Sequence, residues 1–501
     1  MLALLFHRTP GIQLESFQTL CTMAAPSATG LDNIILLSDS YKVSHWKQYP
    51  PNTTKVYSYF ESRGGKYDEV TFFGLQYFLK RYLSGPVVTQ AKIDRAATIY
   101  ECHFMGAQFY REGWEYILRE HGGCLPVKIC ALPEGTTVPT KTPLFTMENT
   151  DPQCFWLTNF LETLLVQVWH PMTVCTHSRA QKKLVKESFE RCADNLGKLP
   201  FMLHDFGFRG VSSVESAGLG GAGHLVNFMG TDTVAAMMVA IEYYGATFGP
   251  LEMPPAPVPF DCPGYSIPAS EHSTITSWGK EGEVDAMRNM LKQYPTGLVA
   301  CVSDSYDIFA ACSDLWGTQL KEDILARDGT LVIRPDSGDP IETSLKCLEL
   351  LEEKFPCTTN EKGFKMLPPQ LAMIWGDGIN YETLATMLQA IESAGWSTMN
   401  FAFGSGGGLL QKLNRDTQKC AFKCSMAVVD GQERDVFKDP ITDPGKKSKK
   451  GRLSVHKEGE SIVTKMGPEY SEEGNLLVPV FENGALLLDQ TFADIKARAE
   501  L

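Results

Sequence analysis

Between about residues 200 and 408 the chain repeats one pattern: a short apolar run, a polar cluster and, in several places, an amphipathic stretch. Met202-Leu203 leads into His204-Asp205-Phe206-Gly207-Phe208-Arg209-Gly210. Residues 225–229 lead into Gly230-Thr231-Asp232-Thr233, with a helical pattern over Val234–Tyr244 behind them. Residues 265–268 lead into Ser270-Glu271-His272-Ser273-Thr274, and 298–302 into Ser303-Asp304-Ser305-Tyr306-Asp307. Residues 330–333 lead into Arg334-Pro335-Asp336-Ser337-Gly338, 371–374 into Gly376-Asp377-Gly378, and 400–403 into Gly404-Ser405-Gly406-Gly407-Gly408. Apolar runs without period-two alternation fit strands covered on both faces, as parallel sheets require. Such repeated units predict an α/β fold with a β/α barrel, whose site gathers at the carboxyl ends of its strands. An open doubly wound sheet is the competing arrangement, and it places ligands at the same ends.

The flanks read differently. Alternation such as Lys55-Val56-Tyr57-Ser58-Tyr59-Phe60 predicts a second, α+β domain assembled from 31–165 and 420–501, which leaves 166–419 for the barrel. Residues 1–30 hold an apolar start of only six residues, too short for a secretory core, and are expected to be disordered. Six prolines between 250 and 263 exclude helix or central strand there and predict a surface loop inserted into the barrel. Lys446-Lys447-Ser448-Lys449-Lys450-Gly451-Arg452 is a basic run whose plainest reading is a solvated loop, with a nuclear signal or a phosphate clamp as alternatives.

Composition narrows the function. The 501 residues carry 46 basic and 59 acidic side chains, a net charge of −13, which argues against general nucleic-acid affinity. No apolar run approaches the roughly 18 residues of a membrane span, so no membrane partner is expected. Fourteen cysteines without a C-x-x-C pair suggest neither zinc nor a disulfide framework, and no metal ligands are assigned. The expected compartment is the cytoplasm, with nuclear and extracellular pools left open.

Chemistry concentrates in the clusters. Gly404 to Gly408 form a glycine-rich turn between strand and helix patterns, where backbone N–H groups can approach an anion such as phosphate. Asp304, Asp336 and Asp377 each end an apolar run; such residues are commonly helix caps, but three on one rim suit ribose hydroxyls or Mg²⁺. Arg209, Arg334 and Arg415 supply guanidinium forks for phosphate oxygens. His272, with Glu271 beside it, is either a packed histidine or a group for proton transfer or attack on phosphorus. A phosphorylated sugar is the economical ligand.

Taken in order, Leu37-Ser38-Asp39-Ser40-Tyr41-Lys42-Val43, Gln48-Tyr49-Pro50-Pro51 and the clusters at 204–207, 230–233, 271–274, 303–307, 334–338 and 403–408 resemble the nicotinamide phosphoribosyltransferase family over about 33–490. The resemblance implies an irregular β/α barrel of the type II phosphoribosyltransferase kind, and a homodimer with active sites shared across the interface. It implies condensation of nicotinamide with 5-phosphoribosyl pyrophosphate to nicotinamide mononucleotide and pyrophosphate in NAD salvage. Mg²⁺ and ATP are the implied cofactors, and ATP would phosphorylate His272, paired with Asp304. Phe206 and a second copy's Tyr41 would sandwich the pyridine, Asp232 would accept the carboxamide NH₂, and Arg209 would lie beside ring and phosphate. Asp39, Arg334, Asp336, Gly376, Asp377, Gly406 and Gly407 match substrate-binding positions, Asp336 counted with the catalytic set. Arg63, Arg415, Lys423, Lys438 and Lys446 resemble the cations that grip pyrophosphate and 5′-phosphate. Ala300 and Ala421 stand where hydroxyls near phosphate are expected, and Phe201 where a tyrosine is. Nicotinate phosphoribosyltransferase is the runner-up, and Asp232 discriminates, since a carboxylate there would meet a like charge. A secreted signalling protein is the alternative of another class.

Overall fold

The computed structural model describes residues 30–247, 263–442 and 447–501. The segment expected to be disordered (residues 1–29 of it), all but Pro263 of the proline-rich loop, and Lys446 lie outside the described residues.

Six strands form one parallel sheet in the spatial order Gly230–Thr231, Leu203–Asp205, Phe401–Ser405, Leu371–Trp375, Asp328–Arg334, Thr296–Val302. The two edges of that sheet are joined. Tyr265 bridges Gly230, with its N–H donating to the Met229 carbonyl at 2.7 Å, and Ala269 bridges Ala300, whose N–H donates to the Pro268 carbonyl at 2.9 Å. The seventh unit thus closes the circuit through isolated bridges rather than a regular strand, which makes the barrel irregular. Proline at 268 has no N–H to extend a ladder.

One expected strand is absent. Residues 225–229 form the end of the helix Val214–Leu225 and the turn behind it, and the strand is only Gly230–Thr231. The helix starts where the Ser213 side chain accepts from the Ser216 N–H at 3.0 Å, a regular N-cap. Its glycines serve packing: a Cβ on Gly223 would lie 2.7 Å from the Pro171 carbonyl oxygen. The helix therefore rests directly against the 24-residue helix Trp169–Cys192. The helix over Val234–Tyr244 forms with the bounds the pattern gives.

Within the barrel strands, side chains divide by face. Val299, Cys301, Leu331, Ile333, Met373, Trp375, Phe401 and Phe403 pack outward into a core shared with the covering helices. Ala300, Val332 and Ile374 pack inward, with Phe206, Ile267, Ala372 and Ala402 against them. Alanines at 300, 372 and 402 among the inward residues suit a narrow barrel, and each fully buried large side chain contributes about 1.5–3 kcal/mol. Ala300 is thus a barrel-lining residue.

The second sheet is antiparallel. Thr53–Ser62 lies between Cys420–Val429 and Pro143–Asn149, and Val127–Ala131 and Val478–Glu482 extend it. Strands from both ends of the chain therefore share one sheet. No helix of the described residues is long and apolar enough to cross a membrane.

Candidate active site

The three rim aspartates are not the caps of the helices that follow them. Asp307 caps the helix after Thr296–Val302, accepting from the N–H groups of Phe309 and Ala310 at 2.9 and 3.0 Å. Asp339 does so for Pro340–Lys354, at 3.0 and 2.8 Å, and Asn380 for Tyr381–Ser393, at 2.9 and 3.0 Å. Asp304, Asp336 and Asp377 each stand three residues earlier in the chain. Since a separate residue satisfies each helix terminus, the earlier carboxylate is released for other work.

The carboxyl ends of the strands surround a cleft of about 1240 Å³. Nine of the sequence-selected residues line it: Phe206, Arg209, Asp232, His272, Arg334, Asp336, Gly376, Gly406 and Gly407. Asp205, fully buried, accepts from the Gly207 N–H at 2.7 Å, while the Phe206 N–H donates to the Ser405 carbonyl at 2.9 Å. That turn delivers the Phe206 ring onto Gly404, where a Cβ would come within 2.0 Å of the ring. Only glycine fits there. Gly407, by contrast, has nothing within 4 Å of a built Cβ, so its backbone faces open space. The helix after the glycine-rich turn is a single turn, Gly407–Leu410.

Charge is distributed unevenly around the cleft. Asp232 accepts on Oδ1 from His204 Nε2 at 2.8 Å and from Ser266 Oγ at 2.5 Å. Burial raises its carboxyl, but the bonds from His204 and Ser266, with the charges of His204 and Arg334, more than offset this and hold it below the usual carboxylate range. Arg334 Nε is buried with no hydrogen-bond partner among the described residues, an arrangement that an anionic ligand would satisfy. His272 Nε2 bonds Asp304 Oδ1 at 2.9 Å, and Ser337 Oγ donates to Asp304 Oδ2 at 2.5 Å. Asp304 is buried and His272 half exposed. Both carboxylate oxygens are thus occupied, and the imidazole presents Nδ1 away from its partner.

The remaining site residues lie elsewhere. Asp377 is exposed beyond its strand, and its carbonyl accepts from Trp375 Nε1 at 2.6 Å. Asp39 Oδ2 accepts from Thr163 Oγ1 at 2.8 Å, and Tyr41 is 59% exposed. Next to Thr163, Glu162 pairs with the buried Lys42 at 2.7 Å. Burial lowers the Lys423 ammonium, and the charges of Arg63, Arg415 and Lys42 add to this against Glu162. These cations form a second polar centre, on the antiparallel sheet and its flanks, and none of them lines the cleft of the same chain. Lys438 is exposed; its carbonyl accepts from the Ser448 N–H and its N–H donates to Ser448 Oγ, both at 2.9 Å. The described part of the basic run is paired: Lys447 with Asp439, Lys449 with buried Glu61, Lys450 with Asp435, and Arg452 with Glu148 and Glu433. It is a tethered loop, not a free cationic tail.

Sequence reasoning passed over His204 and Ser266, which hold Asp232, Ser337, which holds Asp304, and Glu61 and Glu162 beneath the cations. His204 stood inside a quoted motif, and its place two residues before Phe206, on the same face of the strand end, was the available signal. Ser266 and Glu162 meet their partners only through tertiary contact.

The chain is similar in sequence and in fold to known proteins. Residues 201–484 match the model of the nicotinate phosphoribosyltransferase family, and residues 33–129 that of the nicotinamide phosphoribosyltransferase N-terminal domain. The chain is 49% identical to nicotinamide phosphoribosyltransferase of Xanthomonas campestris pv. campestris, over 94% of this chain and 98% of that one. It is 32% identical to the protein of that name from Acinetobacter baylyi, over 92% and 95%. In fold it is similar to the crystal structure of nicotinate-nucleotide pyrophosphorylase from Pyrococcus furiosus, with a TM-score of 0.58 at 14% identity, covering 95% of this chain and 97% of that one.

Proposed function

The chain belongs to the nicotinamide phosphoribosyltransferase family, and from that premise we propose that it condenses nicotinamide with 5-phosphoribosyl pyrophosphate, releasing pyrophosphate and nicotinamide mononucleotide for NAD salvage. The observation that carries the reading is the meeting of Phe206, Asp232, Arg334 and Asp336 with the Gly406-Gly407 backbone in one cleft. A flat ring stacks on Phe206 at low entropy cost. Asp232, ionised and with Oδ2 free of protein donors among the described residues, accepts from a carboxamide NH₂ and repels a carboxylate.

The pyridine nitrogen carries a lone pair, so it attacks the anomeric carbon without a general base. The C1–O bond to pyrophosphate breaks with oxocarbenium character in the ribose, and holding the ring in line supplies the orientation. Arg334 and the glycine-rich backbone face the 5′-phosphate in this reading. The leaving pyrophosphate is met by Arg63, Arg415, Lys423, Lys438 and Lys446 of a second copy, which also contributes Tyr41 to the ring sandwich and Asp39 to the substrate site. The support for a shared site is that, among the described residues, Arg63, Arg415, Lys423 and Lys438 do not line the cleft of their own chain. Mg²⁺, when bound, neutralises charge on the diphosphate, and the carboxylates of Asp336 and Asp377, released from capping, are the hard oxygen donors that suit it. Asp304 fixes Nε2 of His272, which leaves Nδ1 as the atom that takes the terminal phosphoryl group of ATP, with ADP leaving. A cytoplasmic location accords with these substrates.

The test is a product assay on purified protein with nicotinamide or nicotinate and the ribosyl donor, with and without ATP. Nicotinamide should be strongly preferred, and ATP should stimulate the wild type but not His272→Ala, which keeps basal transfer. Preference for nicotinate would overturn the substrate assignment. Equal stimulation of both proteins would overturn the phosphohistidine role.

A further inference from the structure

His204 and Ser266 converge on the same oxygen of Asp232, Oδ1, and leave Oδ2 to the cleft. His204 lies on the strand Leu203–Asp205, one side-chain repeat before Phe206, so both rings project to the same face. Their centroids are 4.8 Å apart at 41°. Gly230 backs the imidazole so closely that a Cβ there would come within 2.8 Å of Nδ1. The imidazole is thus fixed from two sides, by Phe206 and by Gly230, and its single side-chain hydrogen bond among the described residues is the one to Asp232. Ser266 reaches the same oxygen from the segment that closes the barrel, so the pair ties the closure to the specificity carboxylate.

The geometry points to His204, with Ser266, as the positioning pair that sets amide recognition: by occupying Oδ1 they orient Oδ2 toward the substrate carboxamide. This rests on the proposed role of Asp232 and deepens it. A carboxylate held by two donors keeps one rotamer, and its free oxygen then accepts without reorganising when substrate binds. The same two bonds contribute to keeping Asp232 ionised, the state that excludes an acid analogue.

The test compares kcat/KM for nicotinamide with that for 3-acetylpyridine, which has the ring and the carbonyl but no NH₂. Loss of a hydrogen bond to a charged group predicts that His204→Ala lowers kcat/KM for nicotinamide about 10- to 100-fold. The loss should fall mainly in KM, with 3-acetylpyridine little affected and the KM for the ribosyl donor unmoved. His204→Gln, which can place an amide nitrogen near the Nε2 position, should recover most of the loss, and Ser266→Ala should give a smaller loss of the same kind. In an Asp232→Asn background the histidine substitution should add nothing. Equal losses for both pyridines, or full additivity with Asp232→Asn, would overturn the positioning role alone. A wild type that consumes neither pyridine overturns the activity and this proposal with it.

Discussion

Gly404 is the position at which a single methyl group should separate binding geometry from stability. A Cβ there would lie 2.0 Å from Cε2 and 2.3 Å from Cδ2 of Phe206. Ordinary carbon contact is about 3.5–4.0 Å, so the ring has to retreat by roughly 1.5 Å. It cannot retreat freely, because Phe206 packs against the inner barrel cluster and its N–H is bonded to the Ser405 carbonyl. Overpacking of this kind costs about 1–3 kcal/mol of stability, and a displacement of about 1 Å at a reacting centre costs about 10²-fold in rate. Gly404→Ala should therefore melt at a lower temperature and lose about two orders of magnitude in kcat/KM for nicotinamide, while the KM for the ribosyl donor changes little. Adding Phe206→Ala removes the clash, so the two changes together should lower the melting temperature by less than the sum of each alone, without restoring turnover. The assay is steady-state kinetics beside a thermal melt of the two variants. A Gly404→Ala protein with wild-type kcat/KM would show that the ring does not lie where it meets substrate, and the stacking argument would fail.

Asp232 is held below the usual carboxylate range, so it should stay charged as pH falls, and the preference for nicotinamide over nicotinate measured from pH 8 to pH 6 should show no inflection from this group. Glu134 behaves oppositely: burial pushes its carboxyl up to about 7, although the N–H groups of Gly74 and Gln76 favour its ionised form. The native state then binds more protons than the unfolded one from about pH 4.3 upward, so stability from this group falls as pH rises toward 7, and melting of Glu134→Gln should lose that part of the slope. Glu162→Gln uncovers Lys42, whose side chain is 3% exposed, and should both lower the melting temperature, with a cost of up to about 3–5 kcal/mol for a broken buried pair, and alter the KM for the ribosyl donor through Lys423. Asp304→Asn should retain transfer from nicotinamide and lose stimulation by ATP, read as product formed with and without the nucleotide.

The rim was legible because barrel strands leave a local signature. An apolar run of four or five residues followed by Asp or Gly needs no partner to be recognised, and the cleft-lining residues follow such runs. Two features escaped for separate physical reasons. Residues 225–229 are as apolar as a strand, yet they end a helix whose glycines admit close contact with Trp169–Cys192, and that contact is invisible from periodicity. The division of labour between Asp304 and Asp307, Asp336 and Asp339, and Asp377 and Asn380 is written in the chain at a constant spacing, but either polar residue of each pair could cap. Backbone geometry decides it: the residue adjoining the first helical turn takes the N–H groups, and the carboxylate three positions earlier remains at the strand end. The basic run shows the converse. Its charge pattern reads most plainly as a solvated loop, whereas Glu61, Asp435 and Glu433, brought beside it by the antiparallel sheet, bind three of its cations in place. Isolated charge counts therefore mislead where a sheet returns the opposite charge, whereas Lys423 has chiefly other cations, Arg63, Arg415 and Lys42, set against Glu162.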